Sequence, residues 1–341
     1  MSSAGIADGS TGRAGAELAP GVSVIIPSRC GAALLPAVLG SLACQSLERE
    51  RFTVIVVLNG SDDGSQHVLA QFHAEHPDLN LEWVQCTVEN AGAARNCGLQ
   101  SVRREYVTFV DVDDSVAPRY LEQLLAHAGS NTISVAPFLT YDDGGCELSR
   151  DYNAQRFARL RGRASTLARE SWVLGFNAAK LVPTQLAWQF RYPEQLRSGE
   201  DVVYWAHFLT YPQLTVQPVT APPAECAYRR TLRGNSVSRQ KESYEFNVSQ
   251  RIAVIQSLHA VPVGAGGEAA LELRVEAQAA IIARFIAAHP EVRERVYSDV
   301  HAAGVADFPW SAINNYDSRR THIRRRLRSA LQRLRLLVRG T

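Results

Sequence analysis

Three short runs of apolar, largely β-branched residues constrain this chain more than any other feature: Val22–Ile26, Phe52–Leu58 and Tyr106–Val110. Each run breaks abruptly into a polar loop. Apolar runs of this length without polar alternation are typical of strands buried on both faces, and such strands belong to parallel sheets covered by helices. A helical pattern from about Ala33 to Ser46 fills the gap between the first two runs. The repeated order of strand, polar loop and helix predicts an α/β fold with a mostly parallel, doubly wound sheet. In that architecture ligands bind where the carboxyl ends of the strands open into loops, so the polar loops share one edge.

The third run delivers Asp111, Asp113 and Asp114 at its end. Packing gives no reason to crowd carboxylates, which raise one another's pKa unless a cation or hydrogen-bond donors compensate. Carboxylate oxygens select hard divalent ions such as Mg²⁺ and Mn²⁺, which commonly share their coordination shell with substrate phosphates. An acidic turn capping a helix near Pro118 is the plainer reading, and the triplet alone leaves both open. The second loop reads Asn59-Gly60-Ser61-Asp62-Asp63-Gly64-Ser65, and Arg197-Ser198-Gly199-Glu200-Asp201 precedes another helical stretch. Ser198, Glu200 and Asp201 also suit the first turn of a helix, so capping and chemistry are compatible there. A dinucleotide-binding oxidoreductase would carry G-x-G-x-x-G after the first strand, where Pro27-Ser28-Arg29-Cys30-Gly31 stands instead.

In their order and spacing, five elements resemble the family 2 glycosyltransferases, inverting enzymes of the GT-A fold. They are Val24-Ile25-Ile26-Pro27, Gly60-Ser61-x-Asp63-Gly64-Ser65, Ala94-Arg95-Asn96-x-Gly98, Asp111-x-Asp113-Asp114 and Gly199-Glu200-Asp201, within a match from about Val22 to Arg239. The resemblance implies a GT-A type Rossmann-like sheet. It also implies transfer of a sugar from a nucleotide diphosphate, by default a UDP-sugar, to a hydroxyl of a glycan or cell-surface polymer. Asp113 would ligate a divalent cation, Mn²⁺ or Mg²⁺, with Asp114 as a further or supporting ligand and Asp111 on the cation or a ribose hydroxyl. Asp201 would be the general base and Glu200 its support. Pro27 and Arg29 would border the base of the nucleotide. Asn59, standing where the family usually carries an Asp, would read its edge, with Asp63 in the same loop or in its turn. Arg95 and Asn96 would lie near base and diphosphate, Arg95 alternatively pairing with an interior Asp. Arg229 and Arg230 would belong to a closing loop that continues through Asn235–Arg239. Trp188, Tyr192 and Trp205 would face an acceptor sugar or fill the core. A non-catalytic scaffold that keeps this fold for assembly of a polysaccharide-synthesis complex is the alternative, and the survival of both acidic elements weighs against it.

At 341 residues and 46% hydrophobic content, the chain has room for a catalytic domain over residues 21–240 and an extension. Residues 1–20, rich in Gly, Ala and Ser, read as a disordered lead-in. Helical patterns at 243–259 and 267–289, parted by Gly264-Ala265-Gly266-Gly267, make residues 241–317 a helical extension. The last segment, 318–341, holds nine arginines and no acid. There Ile323, Leu327, Leu331, Leu334 and Val338 recur at helical spacing, giving a basic amphipathic helix suited to an anionic membrane surface, or to packing on the chain's own body or on a second copy of it. Nucleic acid is not expected. Six scattered cysteines without C-x-x-C spacing suggest a reduced, cytoplasmic setting, and no apolar run is long enough to cross a bilayer.

Overall fold

The first two apolar runs become β1 (Ala19–Ser28) and β2 (Phe52–Asn59), paired in parallel from Val22 opposite Phe52 to Ser28 opposite Leu58. Every residue of β2 is buried, as a strand covered on both faces requires. The computed structural model describes residues 17–148, 151–233, 242–305, 308–311 and 313. The arginine-rich segment 318–341, the loop 235–239 and residues 1–16 of the lead-in lie outside the described residues.

Helix α1 (Leu35–Ala43) buries Leu35, Val38, Leu39 and Leu42 as one stripe; it lies within the pattern 33–46 and starts two residues later, where Pro36 fixes its first turn. The chain continues through α2 (Ser65–Glu75), β3 (Leu81–Cys86), α3 (Ala91–Ser101) and β4 (Arg104–Phe109). β3 lies parallel to β2, and β4 lies parallel to β1 on its other side. This half of the sheet has the predicted parallel winding.

Beyond it come β5 (Ser115–Val116), α4 (Tyr120–Ala126), β6 (Thr132–Val135), β7 (Phe138–Asp142), α5 (Tyr152–Leu160) and β8 (Ser165–Thr166). They are followed by β9 (Lys180–Pro183), α6 (Thr184–Ala187), α7 (Glu200–Ala206), β10 (Thr215–Pro218), α8 (Pro223–Cys226) and β11 (Tyr228–Leu232). The large sheet has the order β3-β2-β1-β4-β9-β6-β10-β8. β9 slots between β4 and β6 and runs antiparallel to both, which makes the sheet mixed at this point. A small second sheet, β5-β11-β7, stands apart from it. These elements, with Val263–Gly267, form one compact unit.

A second unit comprises residues 241–262 and those from Glu268 onward. In it a turn of π-helix, Glu245–Ser249, runs into α9 (Gln250–His259), followed by α10 (Glu268–Ala288) and α11 (Arg293–Ala302). Its interior is aliphatic, with Ile252, Val254, Ile255, Leu258, Ile282 and Ile286 buried. Among the described residues no helix is long and apolar enough to cross a membrane.

One glycine decides how closely α3 approaches the sheet. A Cβ at Gly98 would stand 2.5 Å from Ile25 Cγ2 and 3.1 Å from Val57 Cγ2, so α3 rests on β1 and β2 only because that position has no side chain. Gly98→Ala should therefore force the helix outward and lower stability by about 1–3 kcal/mol, the usual cost of overpacking. The check is a lower denaturant midpoint with an unchanged slope, and an unchanged midpoint would contradict the close-approach account.

Candidate active site

The acidic triplet follows β4 directly and folds as a tight turn, closed by the Asp114 N–H donating to the Asp111 carbonyl at 3.1 Å. The turn separates its carboxylates. Asp111 and Asp113 are partly exposed, whereas Asp114 is buried. Asp114 Oδ2 accepts the Tyr228 hydroxyl at 2.7 Å and its Oδ1 accepts the Thr231 N–H at 2.8 Å. The same Tyr228 oxygen accepts the Asp111 N–H at 3.0 Å. Asp114 therefore ties the turn to β11, each of its oxygens accepting one hydrogen bond from the protein.

Burial, then the neighbouring Asp111 charge, pushes the Asp114 carboxyl up to about 8, and the same two causes in the same order raise Asp113. A carboxyl raised by a neighbouring carboxylate is one that a divalent cation relieves, so Asp111 and Asp113 fit such an ion. No group of three or more His, Cys, Asp or Glu side chains assembles a metal cage among the described residues. A cation here would complete its shell with donor phosphates and water, as Mg²⁺ characteristically does.

Helix α7 opens at Glu200, directly after Gly199, whose φ of 84° is left-handed and suits a residue without Cβ. Glu200 is buried and accepts from Arg95 Nη1 at 2.7 Å, while Arg95 Nη2 lies 3.6 Å from Asp111 Oδ1. Arg95 is itself buried, so one guanidinium joins the two acidic elements that the sequence placed far apart. Asp201 Oδ1 accepts the Val202 N–H at 2.8 Å. Burial, followed by the Glu200 charge, pushes the Asp201 carboxyl up to about 7, with Arg95 and Lys180 opposing. A carboxylate titrating there is basic enough to take a proton near neutrality and still largely able to ionise.

The second loop and the end of β1 bound a cleft of about 230 Å³ lined by Ser28, Cys30, Asn59, Gly60, Asp63 and Gln85, among others. Asn59 is buried at its edge, and its Nδ2 donates to the carbonyls of Val88 and Asn90. It organises the loop before α3 through its Nδ2. Asp63 joins the first and second loops, accepting the Ala32 N–H at 3.0 Å and the Ser65 N–H at 3.1 Å. Hydrogen bonding, that of the Ser65 side chain first, holds its carboxyl below the usual range. Arg29 pairs with Glu89 at 2.9 Å in the open, and Pro27 sits half-buried behind it in β1.

Three further expectations meet protein partners instead. Asn96 exchanges hydrogen bonds with the Tyr192 backbone at 2.9 and 3.0 Å and donates to Glu194 at 2.8 Å, so it fixes the chain leading toward α7. Arg230 pairs with buried Asp151 at 2.6 Å, and Arg229 donates to the Ala224 carbonyl at 3.3 Å. The three aromatics are structural: Tyr192 and Trp205 both donate to Asn177 Oδ1, at 2.7 and 2.9 Å, and Trp188 donates to the Leu99 carbonyl at 2.8 Å. The motif reading missed Asn177 and Lys180, because a lone Asn and a lone Lys carry no spacing signal. It also missed that Cys86 and Cys97 meet, with sulfurs 3.2 Å apart, where β3 and α3 converge.

Residues 23–180 match the family described as Glycosyl transferase family 2. The glycosyltransferase AglE of Haloferax volcanii is 28% identical over 134 residues, covering 38% of this chain and 44% of AglE, so the likeness spans less than half of that relative. Among solved structures, Staphylococcus aureus TarS 1–349 in complex with UDP-GlcNAc superposes with a TM-score of 0.56 at 20% identity, over 78% of this chain and 71% of TarS. The mannosyltransferase PcManGT of Pyrobaculum calidifontis, in complex with GDP-Man and Mn²⁺, gives 0.52 at 17% identity, over 89% and 88%. These likenesses establish the GT-A fold.

The raised carboxyls have a measurable consequence. Asp114 and Asp201 keep their protons to about 8 and 7 in the folded chain, against an ordinary value of 3.8. Their stabilising contribution is thus complete below the unfolded value and lost as pH rises through the folded ones. Denaturant midpoints should fall from about pH 4 to about pH 8, and Asp114→Asn should flatten that fall. An equally steep fall in the variant would remove Asp114 as its source.

Proposed function

We infer that this chain, a member of Glycosyl transferase family 2, moves a sugar from a nucleotide-diphosphate donor to an acceptor hydroxyl with inversion. The observation that carries this reading is the bridge from Asp111 through Arg95 to Glu200, with contacts of 3.6 and 2.7 Å. It sets a half-exposed carboxylate turn and a carboxyl basic near pH 7 on the same edge of the sheet, and inverting transfer needs those two groups together.

The work divides among the chain's own residues. The cleft lined by Ser28, Asn59, Gly60 and Asp63 takes the nucleotide, with its shape set by the Asn59 and Asp63 hydrogen bonds. Asp113 and Asp111 would hold a divalent ion that supplies Lewis-acid stabilisation of the departing diphosphate. With Oδ1 accepting from Val202, Asp201 takes the acceptor proton on Oδ2 as the hydroxyl attacks. Attack comes from the face opposite the leaving group, so a single displacement inverts the anomeric centre. Arg95 neutralises Glu200, which lets Asp201 ionise beside another acid. A UDP-sugar is the donor we favour, a choice supported by the UDP-GlcNAc complex of TarS, while the GDP-Man and Mn²⁺ complex of PcManGT supports a divalent cation. A glycan or cell-surface polymer is the acceptor class that the family suggests.

A screen of nucleotide sugars with Mn²⁺, read as nucleotide release with and without sugar acceptors, tests the reading. Release from no donor would favour the scaffold alternative. Asp113→Ala should abolish transfer and weaken Mn²⁺-dependent binding of the nucleotide diphosphate, and unchanged affinity by calorimetry would remove Asp113 from the metal. Asp201→Asn should keep donor affinity but lose turnover by about 10²-fold or more, with the role passing to Glu200 if turnover persists.

A further inference from the structure

Lys180, the first residue of β9, is fully buried and has no ion-pair partner among the described residues. A cation in such a place is costly unless its donors are satisfied and its charge is used. Its donors are satisfied: the ammonium donates to the carbonyls of Val173 and Phe176. Its third direction faces the Trp205 ring, with Nζ 3.9 Å from the centroid, and the Phe176 ring lies 4.6 Å away. Two carbonyls and a ring face accept three N–H groups. A neutral amine would have only two N–H groups and would turn its lone pair toward electron-rich neighbours, so this nest is built for the charged form.

Trp205 lies four residues after Asp201 in α7, one helical turn along, so the two side chains share a face. The lysine charge acts on the Asp201 carboxyl. Around Asp201 the other charged or titratable groups are Glu200 on its own helix, Arg95 on α3 and Tyr192 in the chain before α7. Arg95 is already committed to Glu200 at 2.7 Å and to Asp111. Among the described residues Lys180 is then the one cation acting on Asp201 without an ion-pair partner. It also fixes geometry, because Val173, Phe176 and Asn177 form one short segment. Asn177 holds the Trp205 indole at 2.9 Å and the Tyr192 hydroxyl at 2.7 Å.

We propose that Lys180 is a positioning residue for the base: its buried ammonium clamps the 173–177 segment to Trp205 and supplies the positive charge that keeps Asp201 ionised. This rests on the reading of Asp201 as base. Burial draws the lysine pKa well below its ordinary value, and the Asp201 charge resists that, so the two groups sustain each other.

The test follows hydrolysis of UDP-GlcNAc with Mn²⁺, as UDP release across pH, in native chain, Lys180→Met, Lys180→Arg and Asp201→Asn. Without the ammonium, Asp201 ionises at higher pH, so the acid limb of kcat/KM should rise by about one unit in Lys180→Met. That is a loss of about tenfold on the acid side and little above about pH 9, with UDP affinity unchanged. Lys180→Arg should return the limb toward its native place. An unmoved limb in folded Lys180→Met, with Asp201→Asn inactive, overturns the inference and leaves the base standing; full turnover in Asp201→Asn overturns both. Should Lys180→Met not fold, or hydrolysis prove too slow, ¹⁵N-lysine NMR of the native chain decides, with the signal assigned by its absence in Lys180→Arg. An ammonium signal at pH 7 supports the proposal, and a neutral amine there overturns it.

Discussion

A single buried guanidinium ties the loop edge of the sheet together. Arg95 reaches Glu200 at 2.7 Å and Asp111 at 3.6 Å from α3, and so couples the turn after β4 to the first turn of α7. A buried cation placed between two acids is a weak source of net stability, because desolvation consumes most of the Coulombic gain. What it imposes is arrangement. Removing Arg95 strands the buried Glu200 charge away from water at a cost of about 3–5 kcal/mol, so the guanidinium that pairs with Glu200 also fixes where the turn carrying Asp111 can lie.

Arg95 can do this because α3 is held at its N-terminus and middle and lies flat against the sheet. Asn90 caps it through the Ala93 N–H at 3.0 Å, and the same amide donates to the Leu196 carbonyl at 2.8 Å, drawing in the chain that leads to α7. Asn96, one residue after Arg95, grips the Tyr192 backbone. Gly98 lets the helix lie against Ile25 and Val57. The Ala94-Arg95-Asn96-x-Gly98 motif is thus a mechanical unit in which each residue fixes a different coordinate of the guanidinium. A motif read as a list of ligand contacts would miss that most of its residues touch other parts of the protein.

That distinction separates what was legible in the sequence from what was not. β1, β2 and β4 and the loops after them were readable, since buried strands and the polar breaks after them are local signals. The identity of the acidic residues at the edge was readable for the same reason. The antiparallel β9 was not, because Lys180–Pro183 is short and its direction depends on β4 and β6, which lie far from it in the chain. Side-chain roles were least legible. Asn59, Asn96, Asp114 and Arg230 are chemically fit to meet a ligand, and only long-range contacts to Val88, Tyr192, Tyr228 and Asp151 reveal their commitment to the protein. Lys180 and Asn177 gave no sign at all, since their meaning lies entirely in what surrounds them.

The acids of this unit show how environment, and not residue type, assigns the chemistry. Asp63 accepts backbone N–H groups near solvent and is held below the ordinary range. Asp114, buried against Tyr228 and repelled by Asp111, is pushed to about 8 and becomes a neutral brace at physiological pH. Asp201 falls between them at about 7 because burial and Glu200 raise it while Arg95 and Lys180 pull it back. Without the two cations it would follow Asp114 and stay protonated; with more solvent it would follow Asp63 and be too weak a base. Carboxyls pushed apart in this way are candidates for the acid–base partner of a site. By that criterion Asp201 is the carboxyl of this unit whose surroundings suit the proton transfer proposed above.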